Sequence, residues 1–227
     1  MTFIQSQRLQ AERRRSDLMS VAAVVLAAGG STRFGKPKQF ALFQGETFIK
    51  RIVAAAIEAG CAPVVVVTGE DSALVTLELT GRTVSIAMNP RWSSGLGSSI
   101  GVGVQRAMDL AADLGASLLL TCDQPFVTAA VLAQIIQLCL TSGKPIIASA
   151  YAETLGIPAL FDRSCFSDLL RLEGDSGAKG IILARPQDVA SFDFPAGEID
   201  IDTAADYEKL DRPSQQTARG WDSRKFR

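Results

Sequence analysis

A glycine-rich, cationic loop follows the first apolar run of the sequence. Its small residues would let backbone N–H groups approach an oxyanion closely. Cations crowded into such a loop would repel one another without an anion, so phosphate binding is favoured over a purely structural turn. The segment Leu26–Lys38 therefore predicts a triphosphate site, to which we assign Leu26, Ala27, Ala28, Gly29, Gly30, Ser31, Arg33, Gly35, Lys36 and Lys38.

Two common phosphate-binding patterns do not fit this loop. Gly30 to Lys36 has the GxxxxGK spacing of a P-loop, but Pro37 stands where the magnesium-binding hydroxyl belongs. Pro37 and Lys38 would also make a poor start for the helix that follows a P-loop. The dinucleotide pattern GxGxxG is absent as well. The sequence thus predicts a phosphate loop of another kind.

Aspartates follow two further apolar runs. Asp123 precedes the turn Gln124-Pro125, and a carboxylate beside a triphosphate suits Mg²⁺, which takes carboxylates together with phosphate oxygens. A plain turn or helix-capping role is the alternative for Asp123. Asp202 precedes Thr203 and also suits a helix N-terminus. Asp200, two residues earlier, is given at most a supporting role.

Two serines open a predicted helix after Gly95 and Gly97. Ser98 and Ser99 either cap that helix or mark an N-terminus whose free N–H groups bind the nucleotide. Both interpretations remain open from the sequence. Trp92, just upstream, is interpreted as a packing residue.

The sequence contains no histidine, which excludes several classes of active site. A Ser-His-Asp triad, a histidine-activated cysteine and the usual histidine-containing transition-metal sites are ruled out. A metal would have oxygen ligands, which points to Mg²⁺, with Mn²⁺ as the other candidate. The widely spaced cysteines predict buried, reduced thiols of a cytoplasmic protein: Cys61, Cys122, Cys139 and Cys165.

Length and charge limit the architecture and the partners. The 227 residues suit a single α/β domain, which we expect at residues 21–210, with an extension at 1–20 and a tail at 211–227. The 23 basic and 24 acidic residues nearly cancel, so no overall field would attract nucleic acid or a membrane surface. No apolar run approaches the ~20 residues of a membrane span.

Short apolar runs alternate with helical patterns, which predicts a mainly parallel sheet between two layers of helices. The predicted strands are 21–27, 64–68, 84–88, 118–122, 145–150 and 189–194, and the predicted helices are 48–57, 100–114 and 131–140. After Ala150 the regularity breaks down, and Gly156–Phe161 is predicted to belong to an insertion that covers one end of the sheet. The loop Gly174–Lys179 either covers an acceptor substrate or is a surface turn.

The ordered series of motifs resembles a known family. LAAGxSxRxGxxK after the first strand resembles the signature of Rossmann-like nucleotidyltransferases of the MobA-like group. Asn89–Ile100 resembles the NPxWxxGxxSS segment of molybdenum cofactor cytidylyltransferases, and Cys122–Pro125 resembles their xDQP motif. Gly156–Phe161, Gly174–Lys179 and Asp200–Thr203 follow the same pattern, so the resemblance covers roughly residues 21–210.

The resemblance implies a metal-dependent transfer of CMP. It makes Asp123 and Asp202 the metal ligands, with Arg33 and Lys38 stabilising the departing pyrophosphate. Ala28 matches the cytidylyl-transferring pattern, whereas guanylyl-transferring relatives usually carry LAGG at this loop. The implied acceptor is molybdopterin or its molybdenum-loaded form, and the implied partner is a molybdoenzyme or its maturation factor.

Three alternatives stay open at this point. Lys36–Phe40 is similar to the PKQ segment of methylerythritol-phosphate cytidylyltransferases, which lack the DQP turn. A non-catalytic nucleotide-binding module on the same fold would release no pyrophosphate. A glycosyltransferase is disfavoured by the cationic loop, because such enzymes hold a diphosphate mainly through metal.

Overall fold

The computed structural model describes residues 19–29, 37–201 and 206–207. Predictions for the remaining positions lie outside the described residues. These include most of the predicted extension 1–20, the whole tail 211–227 and most of the short helix that the sequence predicts after Thr203, of which Asp206 and Tyr207 are described and are helical.

A mostly parallel sheet forms the centre of the described fold. Its strands are β1 Ser20–Ala27, β4 Val64–Thr68, β5 Ser85–Met88, β6 Leu114–Thr121, β7 Ile146–Tyr151, β8 Thr154–Asp162 and β9 Val189–Asp193, and a separate small hairpin pairs β2 Leu42–Phe43 with β3 Glu46–Thr47. The strand order in the sheet is β5-β4-β1-β6-β8-β7-β9, in which β8 alone runs antiparallel to its neighbours.

Helices cover both faces of this sheet, which confirms the predicted three-layer α/β class. They are α1 Phe48–Glu58, α2 Ser72–Glu78, α3 Leu96–Leu110, α4 Ala129–Ser142, α5 Phe166–Leu169 and α6 Lys179–Ala184. Alternate residues of β1 point into two separate cores, with Ala23 and Val25 facing α1 and α4, and Ala22 and Val24 facing α3. Among the described helices, none has the length and apolarity that a membrane crossing requires.

The start of β6 differs from the prediction. The helical pattern was expected to run to Leu114 and stop at Gly115, but α3 ends at Leu110 and both residues belong to β6. Ala111 is already extended, with φ −140° and ψ 102°. Leu114 is fully buried in the sheet, and a Cβ on Gly115 would lie 2.7 Å from the Cγ of Met19. The lack of a side chain at Gly115 therefore lets Met19 pack against the start of β6. This glycine does not end a helix.

The predicted insertion after Ala150 is also wrong, because Thr154–Asp162 is an internal strand of the sheet. It forms a hairpin with β7 through Ala152 and Glu153, whose φ angles are both positive. The pairing register shifts after Ala148, where Pro158 sits in the bulge. A proline in a strand usually indicates an edge, and the bulge tolerates it inside the sheet.

Candidate active site

A cleft opens where two parallel strands end side by side. Strand β1 ends at Ala27 and β6 at Thr121, and Leu26 pairs with Thr121 in the parallel register. Ligands of open α/β sheets bind beyond such carboxyl ends. The cleft has a volume of about 350 Å³ and is lined by these predicted site residues: Leu26, Ala27, Ala28, Gly29, Lys38, Ser99 and Asp123.

The rest of the glycine-rich loop lies outside the described residues. The site assignments that fall there are Gly30, Ser31, Arg33, Gly35 and Lys36. Of this loop, the structure describes residues 26–29 and 37–38, and a Cβ at Gly29 would meet none of the described atoms within 4 Å. Gly29 itself lines the cleft at the point where the sequence predicts phosphate binding.

Lys38 and Asp123 form an ion pair at the floor of this cleft. The Nζ atom of Lys38 lies 2.6 Å from Oδ2 of Asp123, and each side chain is 19% exposed. Lys38 opens a short 3-10 turn that ends at Phe40, whereas Asp123 lies two residues beyond the end of β6 at Thr121. A cation from the loop region and a carboxylate from the sheet end are thus joined across one cleft, although 85 positions separate them.

Two cleft residues were not selected from the sequence. Gln39 is 3% exposed and donates from Nε2 to Oδ2 of Asp71 at 3.0 Å, which anchors the turn that carries Lys38. Trp92 lines the cleft and also packs on Gly69, where a Cβ would lie 2.7 Å from the indole Cγ. The packing interpretation of Trp92 therefore holds together with its position on the cleft wall.

The two serines of α3 are buried and share one partner. Asn89 donates from Nδ2 to Oγ of Ser98 at 2.9 Å and to Oγ of Ser99 at 3.0 Å. The Ser98 hydroxyl lies within donating distance of the carbonyls of Arg91 and Gly95, at 3.1 and 3.0 Å. Ser99 lines the cleft, whereas Ser98 lines a groove on the outer side of α3. Asn89, an unselected residue, thus fixes the start of α3.

A second, smaller cavity adjoins the cleft. Its volume is about 210 Å³, and it shares Leu96, Thr121 and Asp123 with the cleft. Its other walls include Lys179 and Asp200. Asp123 therefore borders both spaces, and two molecules bound in them would meet beside this carboxylate.

The loop of residues 173–179 separates the two spaces. Gly97 N donates to the carbonyl of Gly174 at 3.0 Å, and Asp175 lines the cleft while Lys179 lines the second cavity. Gly95 has φ +116°, and a Cβ there would lie 2.2 Å from the Gly174 carbonyl carbon. The close approach of these two backbones requires glycine at position 95.

The acidic segment Gly197–Ile201, which follows β9, contacts Asp123 through a backbone hydrogen bond. Ile201 N donates to the carbonyl of Asp123 at 3.0 Å, and Asp200 lines the second cavity. Asp202, the predicted second metal ligand, lies outside the described residues. Burial, together with the charges of Asp200 and Asp123, raises the pKa of Tyr151 on the same wall. The described carboxylates thus concentrate negative charge around this cavity.

Cys122 borders the cleft but is unsuited to nucleophilic attack. Its side chain is 6% exposed, and burial, assisted by the charge of Asp123, raises its thiol pKa. A protonated thiol is a poor nucleophile. All four cysteines are free and buried, as the sequence predicts.

Curated relatives match parts of the chain. The nicotine blue oxidoreductase of Paenarthrobacter nicotinovorans is 35% identical over 85 residues, which are 37% of this chain and 42% of that protein. A probable molybdenum cofactor guanylyltransferase of Bacillus cytotoxicus is 58% identical over 36 residues, 16% of this chain and 18% of that protein. The chain thus matches less than half the length of either relative.

Solved structures match most of the chain. Rv0371c of Mycobacterium tuberculosis H37Rv superposes with a TM-score of 0.71 at 28% identity, covering 85% of this chain and 98% of that one. A structure of Rv0371c in complex with manganese gives 0.68 at 26% identity, with the same coverage of both chains. A nucleotidyl transferase of Methanothermobacter thermautotrophicus, at 24% identity and a TM-score of 0.71, covers 84% of this chain and 95% of its own and shares the fold.

The family match rests on the central part of the chain. The model of the MobA-like NTP transferase domain matches residues 23–189, which contain the cleft, the Lys38–Asp123 pair and the loop between the two cavities. The chain therefore belongs to the family of MobA-like NTP transferases.

Proposed function

We propose that this protein is a cytidylyltransferase that moves CMP from CTP to the phosphate of molybdopterin or of the molybdenum cofactor. The observation that carries the proposal is the Lys38–Asp123 pair: both side chains line the cleft, and Asp123 also lines the second cavity. A triphosphate over Gly29 and the loop after it would face Lys38. The acceptor phosphate would enter from the second cavity.

The residues at Asp123 suit a divalent cation. A carboxylate has two oxygens with several lone pairs, and Lys38 Nζ lies 2.6 Å from Oδ2, so Asp123 would retain acceptor capacity for a metal. Within residues 19–29, 37–201 and 206–207, no three His, Cys, Asp or Glu side chains are grouped as a metal site. Asp123 would therefore share Mg²⁺ or Mn²⁺ with phosphate oxygens and water, and with Asp202 as the proposed second ligand. The manganese bound by Rv0371c supports a divalent ion.

The proposed reaction needs no side-chain nucleophile. An oxygen of the acceptor phosphate attacks the α-phosphorus of CTP, a new P–O bond forms, and the bond to the β-phosphate breaks with its electrons leaving on pyrophosphate. A bound cation would neutralise charge on the phosphate oxygens. Lys38 and Arg33 would stabilise the pyrophosphate, and a phosphate monoester is already anionic near neutral pH, so no histidine base is required.

The second cavity is the proposed acceptor site. Lys179 brings a cation to its wall, which is also lined by Asp200 and Asp123. An incoming phosphate would be held by Lys179 at the boundary with the cleft. This arrangement supports a phosphorylated acceptor in general, and the family resemblance narrows it to molybdopterin, with a molybdoenzyme or its maturation factor receiving the product.

The choice of nucleotide base is the most specific part of the proposal. Ala28 lines the cleft and carries the cytidylyl pattern of the first loop, whereas the relative from Bacillus cytotoxicus bears a guanylyltransferase name. A pyrophosphate-release assay with CTP, GTP, ATP and UTP, each with Mg²⁺ or Mn²⁺ and molybdopterin, separates these choices. Release with CTP alone is expected. Equal release with GTP would overturn the cytidylyl assignment, and no release with any nucleotide would overturn transfer to molybdopterin.

An oxidoreductase is the second candidate, because the relative from Paenarthrobacter nicotinovorans has that name at 35% identity. Such an enzyme would consume a reductant and release no pyrophosphate. Following NADH and NADPH absorbance with nicotine blue as the electron acceptor, in parallel with the pyrophosphate assay, distinguishes the two activities. We expect no oxidation of either nucleotide.

A further inference from the structure

Gln124 is a buried polar side chain that the proposed reaction does not use. It follows Asp123 directly, is 6% exposed, and borders the second cavity. A buried amide must find hydrogen-bond partners, because desolvating it without them is costly. Its partners therefore indicate what the residue does.

The amide nitrogen of Gln124 connects two distant parts of the chain. Nε2 donates to the carbonyl of Ile157 at 3.0 Å and to the carbonyl of Gly197 at 3.1 Å. Both partners are carbonyl oxygens, which only accept, so the orientation of the amide is determined by the contacts. Thr121 Oγ1, at 3.5 Å from Oε1, lies on the oxygen side of the same amide. Gln124 thus ties the end of β6 to β8 and to the turn after β9.

The turn that Gln124 holds leads directly to the acidic segment Gly197–Ile201. Gln124 holds its first carbonyl, and the last amide of the segment donates to the Asp123 carbonyl at 3.0 Å. Ile201 is 1% exposed and packs with Phe48. The segment is therefore held at both ends by adjacent residues of the turn after β6, with Asp200 between them on the cavity wall.

We propose that Gln124 is a positioning residue of the active site: its amide holds the Gly197–Ile201 segment, and with it the carboxylate of Asp200, against Asp123. The inference builds on the proposed function. Glutamine suits this task because its neutral NH₂ supplies two donors without a buried charge. Methionine has a similar length but no donor, and asparagine keeps the amide one methylene short of both carbonyls.

The test compares Gln124→Met with Gln134→Met, which changes an exposed glutamine of α4. Hydrogen exchange reports the segment directly. In Gln124→Met the amides of residues 197–201 should exchange about tenfold faster or more, because two hydrogen bonds are lost, while α4 exchanges as in the wild type. Gln134→Met should leave the segment unchanged. Unchanged exchange of the segment in Gln124→Met would overturn the proposal.

Metal binding gives a second readout. Titrated with Mn²⁺ in the presence of CTP, Gln124→Met should bind the ion roughly tenfold more weakly, because the carboxylates are no longer held together. Its affinity for CTP without metal should stay within about twofold of the wild type. A wild-type Mn²⁺ affinity, or an equal loss of CTP binding, would contradict a positioning role.

Two results would call for a further measurement: a Gln124→Met variant that does not fold, and a wild type without transferase activity. If Gln124→Met shows no cooperative melting transition, Gln124→Asn takes its place with the same expected shifts. If the wild type releases no pyrophosphate with any nucleotide, the proposed function fails. The exchange of residues 197–201 then still decides whether Gln124 holds the segment.

Discussion

The Lys38–Asp123 pair brings opposite charges together where the two proposed substrates meet. Their 2.6 Å contact is partly shielded from water, which strengthens it relative to a surface pair. Arg, Lys and metal-bound carboxylates act on phosphates mainly by charge and position. The pair therefore links the orientation of the lysine to that of the carboxylate.

Removal of the lysine charge should separate catalysis from stability. Lys38→Met is expected to lower pyrophosphate release about 100-fold or more, because the departing pyrophosphate loses a cation. The free energy of unfolding should decrease by only about 1 kcal/mol, since one ion pair is lost. Steady-state kinetics and urea denaturation measure the two effects.

The matched control is Lys50→Met. Lys50 of α1 forms an ion pair with Glu78 of α2 at 3.0 Å, and it lines neither the cleft nor the second cavity. This variant loses a comparable ion pair and should retain wild-type turnover. Near-normal turnover in Lys38→Met, or a loss shared by both variants, would contradict the role of Lys38.

Residue types could be predicted from the sequence more readily than their partners. Lys38, Ser99 and Asp123 were selectable because cations, hydroxyls and carboxylates follow apolar runs, and the structure brings all of them to one cleft. Gln39 and Trp92 were not, because each owes its place to a contact with a distant residue. No local pattern encodes those contacts.

At the scale of elements, α3 shows how closely a helix approaches the sheet. Gly103 is buried against β1 and β4, and a Cβ there would lie 2.3 Å from Val24 Cγ1 and 2.8 Å from Val67 Cγ2. Gly101, two residues earlier, has its nearest such contact at 3.6 Å. The same substitution should therefore have opposite effects at the two positions.

Gly103→Ala should destabilise the protein by about 1–3 kcal/mol, because the added methyl overpacks the interface of α3 with the sheet. Gly101→Ala should stabilise it by about 0.5–1 kcal/mol, because alanine is the better helix former and meets no close atom. Urea denaturation of both variants measures the difference. Equal shifts in the two variants would show that α3 does not pack as described.

Elements with a regular sequence pattern could be predicted more accurately than elements with an interrupted pattern. Strands 64–68 and 21–27 and helix 48–57 could be located to within a residue or two because buried runs and helical spacing are strong signals. The sheet position of β8 could not, since Pro158 and the bulge opposite Ala148 interrupt its pattern. Only pairing with β6 and β7, which is non-local, makes this segment a strand.

At the scale of the whole molecule, two cores cover the sheet and each contains thiols. Cys61 and Cys122 belong to the core beneath α1 and α4, and Cys165 to the core beneath α3. Burial raises the pKa of each of these thiols. Each thiol is therefore held protonated in the fold at a pH where the unfolded chain would release its proton.

This difference should make the fold sensitive to alkali. Burial raises the pKa of Cys61 from 9.0 to about 12, so the folded state keeps a proton that the unfolded state loses as the pH rises above 9.0. The contribution of Cys61 to stability is thus complete below pH 9.0 and is lost as the pH rises towards about 12. The slope for one thiol is about 1.4 kcal/mol per pH unit.

Cys61→Ala tests this pH dependence of stability, because it removes the titrating thiol and leaves the other groups that titrate in alkali in place. Its free energy of unfolding should lie below the wild-type value near neutral pH, where a small cavity costs stability. The difference should shrink, and then reverse, as urea denaturation is repeated at rising alkaline pH. Ile49→Val, a substitution at a fully buried position of the same core, carries no titrating group and should differ from the wild type by a constant amount. A constant difference for Cys61→Ala as well would show that the thiol has the same pKa in the folded and unfolded chain.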